Sequence, residues 1–480
     1  ATAGWAQQYL PDLMEKEAEV FGNRTISGFL EQVGAEESMA SDQVVWSEQG
    51  RLHLSYKGRM KSATDTATAV GGGTSGAGGH IEIEKDIDGN SLGTSSYSNG
   101  DHGIRVNDLV IVADSGATVK CMVTAVASDG DIDVSPIDAG SGTTTLGAAG
   151  LATADTSEAL RILVFGSEFA KGDNYDGSTT RGANEPKFKS FSNKPIILKD
   201  YYEISGSDAS AIGWVEVSGE DGQNGYLWYL KAEGDTRQRF SDYLEMAMIE
   251  SIKGDASESV IDSHLGYAAS DQYGTEGLFA AIETRGNVTT GVTGVNAATD
   301  LAEFDAILAE FDNQGAIEEN MMFVNRATAL AMDDMLASMN SYGAGGTSYG
   351  VFDNEEDMAL NLGFSGFRRG SYDFYKSDMR YLNDKATRGG INARATSAAI
   401  RGVIVPAGTS SVYDQSLGKN LKRPFLHVRY RSSATDNRKL KTWVTGSVGA
   451  TTSALDAMQI HMLSERCLVT QGANNFMLMK

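Results

Sequence analysis

The stretch EENMMFVNRATALAMDDML, residues 318–336, decides the fold class of this chain. Its first part, NMMFVN (320–325), is a short continuous apolar run, which is typical of a buried strand. The chain then passes directly into RATALAMDDMLASMN (326–340), whose apolar residues recur at helical spacing. A buried strand that leads straight into a helix predicts a sheet covered by helices.

A second helix is expected immediately before this strand. Its apolar stripe consists of Leu301, Phe304, Leu308 and Phe311. Asp300 with Glu303 resembles a capping box at the helix start, although Asp replaces the usual Ser or Thr. Gly315 is expected to end the helix.

The strongest helical pattern in the sequence extends from about residue 224 to residue 252, followed by Gly254. Its apolar stripe consists of Phe240, Tyr243, Leu244, Ala247, Met248 and Ile252. The aromatic run YLWYL (226–230) could stack on nucleic-acid bases, but we interpret it as the packed start of this helix.

The last 80 residues are rich in strand patterns. They include AAIRGVIVP (398–406), FLHVRYR (425–431) and KLKTWVTGSV (439–448). In FLHVRYR, period-two alternation predicts a buried face of Leu426, Val428 and Tyr430 and a polar opposite face. The final stretch, ERCLVTQGANNFMLMK (465–480), has apolar residues on both sides of a turn signal, which predicts a buried hairpin.

The first half of the chain contains an acidic arm and an inserted module. Residues 1–45 carry eight acidic and two basic side chains. Gly- and Ser-rich stretches at 63–80 and 139–157 read as flexible linkers. Between them, short β-branched runs are separated by Ser-Gly and Asp-Gly turns, so we predict a small β-rich module over 63–157.

Composition limits the classes of function. The 480 residues carry a net charge of −24, which argues against the whole chain being a nucleic-acid binder. No apolar run approaches the length of a membrane span, and the N-terminal residues lack a secretory-signal pattern. The two cysteines, Cys121 and Cys467, lie far apart in the sequence, and we expect two buried free thiols in a reducing compartment.

The motifs that could support catalysis or metal binding are weak. The six histidines do not occur at metal-ligand spacing. GTSYG (346–350) matches a nucleophile pattern around Ser348 but lacks the preceding strand that this pattern needs. KDIDGN (85–90) and DGDID (129–133) resemble calcium loops, yet Asp-Gly turns explain them better. We therefore expect no catalytic residue, no metal site and no cofactor.

Three segments resemble parts of the major capsid proteins of tailed bacteriophages, which have the Hong Kong 97-type fold. DTRQRFSDYLEMAMIESI (235–252) looks like the spine helix of that fold. EENMMFVNRATALAMDDML looks like the strand and helix of its axial domain, and MQIHMLSERCLVTQGANNFMLMK (458–480) looks like its closing strands. The order of the pieces along the chain also matches.

This resemblance implies an α+β, Hong Kong 97-like capsid fold and a division of the chain. The expected parts are an N-terminal arm (1–45), an extended-loop region (46–62 and 158–208) with the module 63–157 inserted in it, a peripheral domain with the spine helix (209–262 and 400–480) and an axial domain (263–399). The long scaffolding segment of some relatives is absent from this sequence. Nothing in the residues identifies the Lys–Asn cross-link that some relatives form.

The resemblance further implies a function without enzymatic activity. The chain would assemble as pentamers and hexamers into the icosahedral head of a tailed bacteriophage, with portal, scaffold or decoration proteins as partners. Packaged double-stranded DNA would lie nearby without specific recognition, and no membrane partner is expected. The location would be the virion, and the host cytoplasm during assembly. Two alternatives remain open: an encapsulin-type compartment shell with the same fold, and a serine hydrolase built on Ser348.

The segment 415–442 differs from the acidic remainder of the chain, because it carries eight basic side chains and only Asp436 as an acidic one. It could be a solvated strand face, a nucleic-acid contact, or a surface that meets an acidic part of a neighbouring subunit. For the third case the acidic partner would be the N-terminal arm. The candidate contact residues are then Arg423, Arg429, Arg431, Arg438 and Lys439 with Glu15 and Glu17.

Overall fold

The computed structural model places the chain in two compact units, Ala1–Trp46 with Ser190–Lys480, and Ser47–Lys189. We call the first the mixed unit and the second the barrel unit. The residues that the structure describes are 30, 35–61, 79–90, 92, 102–126, 131–137, 146, 151, 158–172, 188–210, 216–218, 224–254, 261, 264–266, 273–315, 317–341, 366–407, 409–414 and 419–480.

The strands, in chain order, are β1 (Ala35–Met39), β2 (Val44–Gln49), β3 (Ser55–Lys61), β4 (His80–Asp86), β5 (Asp108–Ala113), β6 (Thr118–Val126), β7 (Ile132–Pro136), β8 (Leu160–Ser167), β9 (Phe188–Asn193), β10 (Ile196–Ser205), β11 (Glu216–Ser218), β12 (Asn224–Tyr226), β13 (Asn287–Thr289), β14 (Glu319–Val324), β15 (Gly366–Arg369), β16 (Tyr372–Asp378), β17 (Gly402–Pro406), β18 (Thr409–Asp414), β19 (Lys419–Pro424), β20 (Leu426–Arg431), β21 (Lys441–Gly446), β22 (Ala457–Thr470) and β23 (Met477–Met479). The α-helices are α1 (Gly206–Ser210), α2 (Leu227–Glu250), α3 (Leu278–Arg285), α4 (Ala297–Gln314), α5 (Arg326–Ser341), α6 (Arg380–Asn383) and α7 (Arg388–Arg394).

The barrel unit is a closed barrel with the strand order β3-β4-β7-β6-β5-β8. Alternate residues of each strand point inward, as period-two alternation requires, and Val110, Cys121, Val123 and Ile162 are fully buried inside. The unit extends beyond the predicted module 63–157 at both ends. The reason is that β3 and β8 pair with each other and close the barrel. Most of the two predicted linkers lies outside the described residues.

A five-stranded sheet organises one part of the mixed unit. Its order is β1-β20-β22-β10, and β21 pairs with the first half of β22. Helix α2 packs on one face, where Phe240 and Leu244 contact Met462 and Leu198. The predicted long helix over 224–252 is therefore present as α2.

A six-stranded sheet, in the order β13-β23-β17-β14-β16-β15, organises the other part of the mixed unit. Consecutive residues of its central strands enter opposite cores: Phe323 and Val403 lie in one cluster, and Met322 and Ile404 in the other. Helices α4 and α5 supply Phe304 and other residues to the second cluster. Burial on both faces explains why these strands are continuous apolar runs.

The predicted C-terminal hairpin is wrong. β22 belongs to the five-stranded sheet, whereas β23 lies between β13 and β17 in the six-stranded sheet. A short 3-10 turn, Ala473–Asn475, carries the chain from one sheet to the other. β17 and β23 also come from the predicted peripheral segment 400–480, yet they share a sheet with β14 of the predicted axial segment. An apolar strand such as β23 needs cover on both faces, and the position between the two cores provides it.

The predicted capping box of α4 is also wrong. The helix begins earlier, after Asn296, whose side chain accepts a hydrogen bond from the Thr299 backbone N–H. Asp300 instead accepts a hydrogen bond from the backbone N–H of Gly294 at 2.8 Å. Glu303 accepts one from the backbone N–H of Thr293 at 2.7 Å, in the same preceding turn. The predicted end is confirmed, because Gly315 adopts a left-handed φ of 63° there.

The strand β20 departs from the predicted alternation. Leu426 and Val428 are buried, but His427 between them is only 1% exposed, and Tyr430 is only partly buried. Leu426 and Val428 face one buried cluster, and His427 lies opposite Val469, which belongs to a second buried cluster with Trp46, so the start of the strand is covered on both faces. The Arg429 guanidinium contacts the His427 ring nitrogen at 3.3 Å.

A candidate subunit-contact surface

The acidic arm lies along the edge of the five-stranded sheet. β1 runs parallel to β20, with Glu37 directly opposite Arg429 in the register. The carboxylate of Glu37 and the guanidinium of Arg429 form an ion pair of 2.9 Å. Two more ion pairs flank it, Glu36 with Lys439 and Asp42 with Arg431. In this structure the acidic partner of the basic segment is therefore the arm of the same chain.

The arm is also anchored at both of its described ends. The backbone N–H of Leu30 donates to the buried carboxylate of Glu245 on α2, at 3.1 Å. At the other end the Trp46 ring packs against Phe191, with centroids 6.2 Å apart. The Arg285 guanidinium lies over both rings, 5.6 Å from the first centroid and 4.6 Å from the second. This cation–π arrangement fixes the end of the arm on the mixed unit.

Glu465 of β22 is a buried carboxylate, with 5% of its surface exposed. Two arginines neutralise it: Arg438 at 2.6 Å and Arg431 at 3.3 Å. A buried charge is costly unless it is paired. The two arginines therefore hold the loop between β20 and β21 against β22.

A pocket of about 470 Å³ opens at this place. It is lined by Ala40, Ile197, Arg431, Ser432, Ser433, Asp436, Arg438 and Glu465. The hydrogen bond to Asp42 raises the pKa of Arg431, and the hydrogen bond from Lys441 lowers the pKa of Asp436. Arg431 and Asp436 therefore stay charged at neutral pH, so the wall of the pocket combines charges of both signs with the hydroxyl groups of Ser432 and Ser433.

A stack of three rings crosses the same sheet. Tyr201 of β10 and Trp443 of β21 lie on either side of His461 of β22, each directly opposite it in the register. The ring centroids are 5.9 Å and 5.2 Å from that of His461, with interplanar angles of 27° and 17°. Tyr201 is 55% exposed and Trp443 is 37% exposed. We call these three residues the aromatic ladder.

A polar network surrounds the aromatic ladder. The Thr445 hydroxyl lies 2.7 Å from the His461 ring nitrogen and donates to Gln459 at 3.2 Å. Gln459 in turn donates to the carboxylate of Glu203 at 2.6 Å. The ladder alternates along the strands with Leu198 and Met462, which face α2, so it lies on the opposite side of the sheet. Exposed aromatic side chains with polar neighbours are typical of protein–protein contact surfaces.

The aromatic ladder was not predicted from the sequence. Tyr201 lies 242 positions before Trp443, and only the register brings both residues beside His461. Of the predicted contact residues, Arg429, Arg431, Arg438 and Lys439 lie in the cluster described above. Arg423 lies in β19, at a position where only the backbone is described. Glu15 and Glu17 lie outside the described residues.

The remaining candidate motifs have ordinary surroundings. Cys121 and Cys467 are both free and fully buried, as predicted, and burial raises the pKa of each thiol to about 12. Asp86 accepts hydrogen bonds from Asn90, whereas Asp88 pairs with Arg51, so the two carboxylates do not converge. Ser348 lies outside the described residues.

Within the described residues, histidine, cysteine, aspartate and glutamate side chains form no cluster of three or more that could hold a metal ion. No helix in this part of the chain has the length and apolar character of a membrane span.

Comparison with known proteins gives structural similarity only. No family model matches the sequence, and no curated protein matches it. A structure of Microbacterium phage Oxtober96 is 7% identical, with a TM-score of 0.40, and the match covers 100% of this chain and 98% of that one. The capsid of a native GTA particle is 10% identical, with a TM-score of 0.37 and coverage of 99% and 96%. The mature capsid of bacteriophage PhiM1 is 9% identical, with a TM-score of 0.34 and coverage of 65% and 78%.

Proposed function

We propose that this chain is the major capsid protein of a tailed bacteriophage, whose copies assemble into the icosahedral head that encloses the genome. Its role would be structural rather than catalytic. The observation that carries the proposal is the order of folded elements in the mixed unit. An arm strand, a long helix on a sheet, a helix–strand–helix layer and closing strands follow one another, as the resemblance implies.

In this proposal the parts of the chain have separate roles. β1 and the preceding residues form the N-terminal arm, and α2 is the spine helix of the peripheral domain. The six-stranded sheet, which includes β17 and β23, forms the axial domain with α4 and α5. The barrel unit is an insertion in the extended loop.

Contacts between subunits would involve the ionic cluster and the aromatic ladder. The ion pairs of Arg429, Arg431 and Lys439 reach the arm of the same chain, so the arm is held at the sheet edge before any neighbour arrives. The aromatic ladder lies on the sheet face opposite α2, where a neighbouring copy could cover it. The partners would be further copies in pentamers and hexamers, a portal, and a scaffold or decoration protein, with packaged DNA nearby but not specifically bound. The chain would reside in the virion after assembly in the host cytoplasm.

Electron microscopy and sedimentation of the purified full-length chain test the proposal. We expect closed shells of uniform diameter at low salt or with a co-expressed scaffold. A chain that stays monomeric under all assembly conditions would contradict the proposal. Shells that co-purify with an enzyme cargo instead of packaging partners would favour the encapsulin-type alternative.

A double variant tests whether the basic cluster takes part in assembly. In Arg429→Glu with Arg431→Glu, the arm should detach from the sheet edge, and the yield of shells should fall. The matched control is Arg237→Glu, because Arg237 is an exposed arginine on α2 whose ion pair, among the described residues, is with Glu233 of the same helix at 2.7 Å. If the double variant has a native circular dichroism spectrum and an unchanged yield of shells, the basic cluster does not take part in the proposed contact.

A further inference from the structure

The outer side of the barrel unit carries an apolar patch that the fold of the barrel does not use. Val110, Val112, Leu160 and Ile162 fill the interior. The residues on the same strands that alternate with this inward-facing set point outward. Among these, Leu163 is 39% exposed and the large ring of Phe165 is 48% exposed.

The strand register places these residues side by side. Ile111 of β5 lies opposite Leu163 of β8, and Leu109 of β5 lies opposite Met122 of β6. The pairing of β5 with β8 shifts by one residue, because Val110 pairs with Val164 and Leu109 pairs with Gly166. Phe165 is the extra residue of this bulge, and bulges commonly redirect a side chain. We call Leu109, Ile111, Met122, Leu163 and Phe165 the barrel patch.

The two ends of β8 carry opposite charges beside the barrel patch. Arg161 is exposed at one end, where one of its nitrogens donates to the Glu158 carbonyl at 2.7 Å. Glu168 is exposed at the other end. Leu163 and Phe165 lie between these two charges. A two-fold axis near residues 164 and 165 would place the Arg161 of one copy beside the Glu168 of the other, with apolar side chains in the centre.

We propose that the barrel patch is a two-fold contact between the barrel units of two copies of this chain. Such an isologous contact requires a self-complementary surface. The opposite charges at the two ends of β8, Arg161 and Glu168, make this surface self-complementary. Five side chains form a smaller interface than a stable dimer needs. The contact is therefore weak between free copies at high concentration and is strengthened where other contacts already hold the copies together, and in this respect the inference rests on the proposed function.

Single-cysteine cross-linking tests the contact in the full chain. The two native thiols are buried, so the cysteine in Phe165→Cys is the accessible one. Ser115→Cys is the matched control, because Ser115 is exposed in the β5–β6 turn, away from the barrel patch. Particles and the concentrated free chain are both mildly oxidised. In particles, we expect the yield of disulfide-linked dimer to be at least fivefold higher for Phe165→Cys than for Ser115→Cys.

Charge variants in the Phe165→Cys background test the orientation. Arg161→Glu alone and Glu168→Arg alone should each lower the dimer yield, and the two together should restore it. Equal cross-linking of Phe165→Cys and Ser115→Cys, or cross-linking of Phe165→Cys to a different protein, would overturn the inference. Shells that form without the dimer would refute the barrel contact and leave the proposed function intact. Absence of shells would refute the proposed function, and the free chain would still report on the contact.

Discussion

Glu37 and Arg429 lie directly opposite each other on parallel strands, 392 positions apart in sequence, and their side chains are 2.9 Å apart. The pair is partly buried, with 29% and 19% of the two side chains exposed. Together with its neighbours it attaches the acidic arm to the basic strand β20. These ion pairs add to the backbone ladder of β1 on β20 and to the packing of Leu30 and Trp46, so the part of the attachment that charge provides should depend on salt.

Reversing one charge of this pair should loosen the arm. Arg429→Glu places two carboxylates opposite each other and should lower the free energy of unfolding of the mixed unit by about 1 kcal/mol. Tryptophan fluorescence in a urea titration measures it, because Trp46 and Trp443 lie in the mixed unit and the sequence of the barrel unit, residues 47–189, contains no tryptophan.

The double reversal, Glu37→Arg with Arg429→Glu, is the control for the Arg429→Glu variant. It should recover most of the loss, since it restores opposite charges in the same register. Near 1 M salt, where the screening length falls to roughly 3 Å, the single reversal should differ less from the natural chain. A double variant no more stable than the single one would show that the ion pair does not hold β1.

Asn193 is a fully buried hydrogen-bonding centre of the mixed unit. Its side-chain oxygen accepts from the Glu276 backbone at 2.9 Å and the Thr275 hydroxyl at 3.1 Å, and its nitrogen donates to the Leu468 carbonyl at 2.6 Å. Asn193→Ala leaves these groups without partners and should lower the free energy of unfolding by roughly 2–4 kcal/mol.

The same fluorescence titration measures the loss. Asn193→Asp keeps the acceptor but cannot donate to Leu468, so it should also destabilise the unit. Asn313→Ala, at an exposed position on α4, should change stability by less than about 0.5 kcal/mol. Equal stability of Asn193→Ala and Asn313→Ala would contradict the role of Asn193.

His80 should make the stability of the barrel unit depend on pH. Its two ring nitrogens face carboxylate oxygens of Asp133 at 2.7 Å and Asp131 at 3.0 Å, so both nitrogens must carry protons. The hydrogen bond with Asp131, followed by that with Asp133, raises the pKa of His80 from 6.5 to about 9. Because the folded-state pKa is the higher one, the stabilisation is complete below pH 6.5 and is lost as the pH rises through 9.

Alkylation of Cys121, mapped by mass spectrometry, reports opening of the barrel. At each pH the natural chain is compared with His80→Gln, since the alkylation rate itself rises with thiolate concentration. The natural chain should be better protected at pH 6.5, and the difference should disappear above pH 9. A difference that stays constant over this range would rule out His80 as its source.

Gly58 lies at a bulge of β3, where the strand comes very close to β4. A Cβ at this position would lie 2.2 Å from the backbone oxygen of Glu82, so the two strands would have to separate. Gly58→Ala should destabilise the barrel unit by roughly 1–3 kcal/mol. Faster Cys121 alkylation measures this loss. Gly50→Ala is the control, because no atom of the described residues lies within 4 Å of a Cβ there. Similar rates for the two variants would contradict the prediction.

The local elements could be predicted from the sequence. The helix expected at 326–340 is present as Arg326–Ser341, and the strand expected at 320–325 is present as Glu319–Val324. Both have a strong periodic pattern, and periodicity is a property of neighbouring residues. The sequence predicts the start of α4 at Asp300 rather than at Asn296. Both residue types can cap a helix, and only the fold of the preceding turn shows that Asn296 is the cap.

The arrangement of the elements could not be predicted in the same way. A continuous apolar strand such as FMLM shows burial on both faces, but it does not identify the strands beside it. The pairing of Arg429 with Glu37, rather than with Glu15 or Glu17, follows from the register of β1 on β20. Closure of the barrel likewise depends on the pairing of β3 with β8, about 100 residues later in the sequence.

The position of β23 has a consequence for synthesis on the ribosome. The barrel unit contains all of its own strands between residues 47 and 189, so its pairing partners have all emerged early. The six-stranded sheet needs residues 477–479 between β13 and β17, and it stays incomplete until these residues leave the exit tunnel. At 5–20 residues per second, the roughly 300 intervening residues take about 15–60 s to translate. During that time the nascent chain carries a closed barrel in front of an unfinished sheet, and this interval is when the chain most needs chaperones.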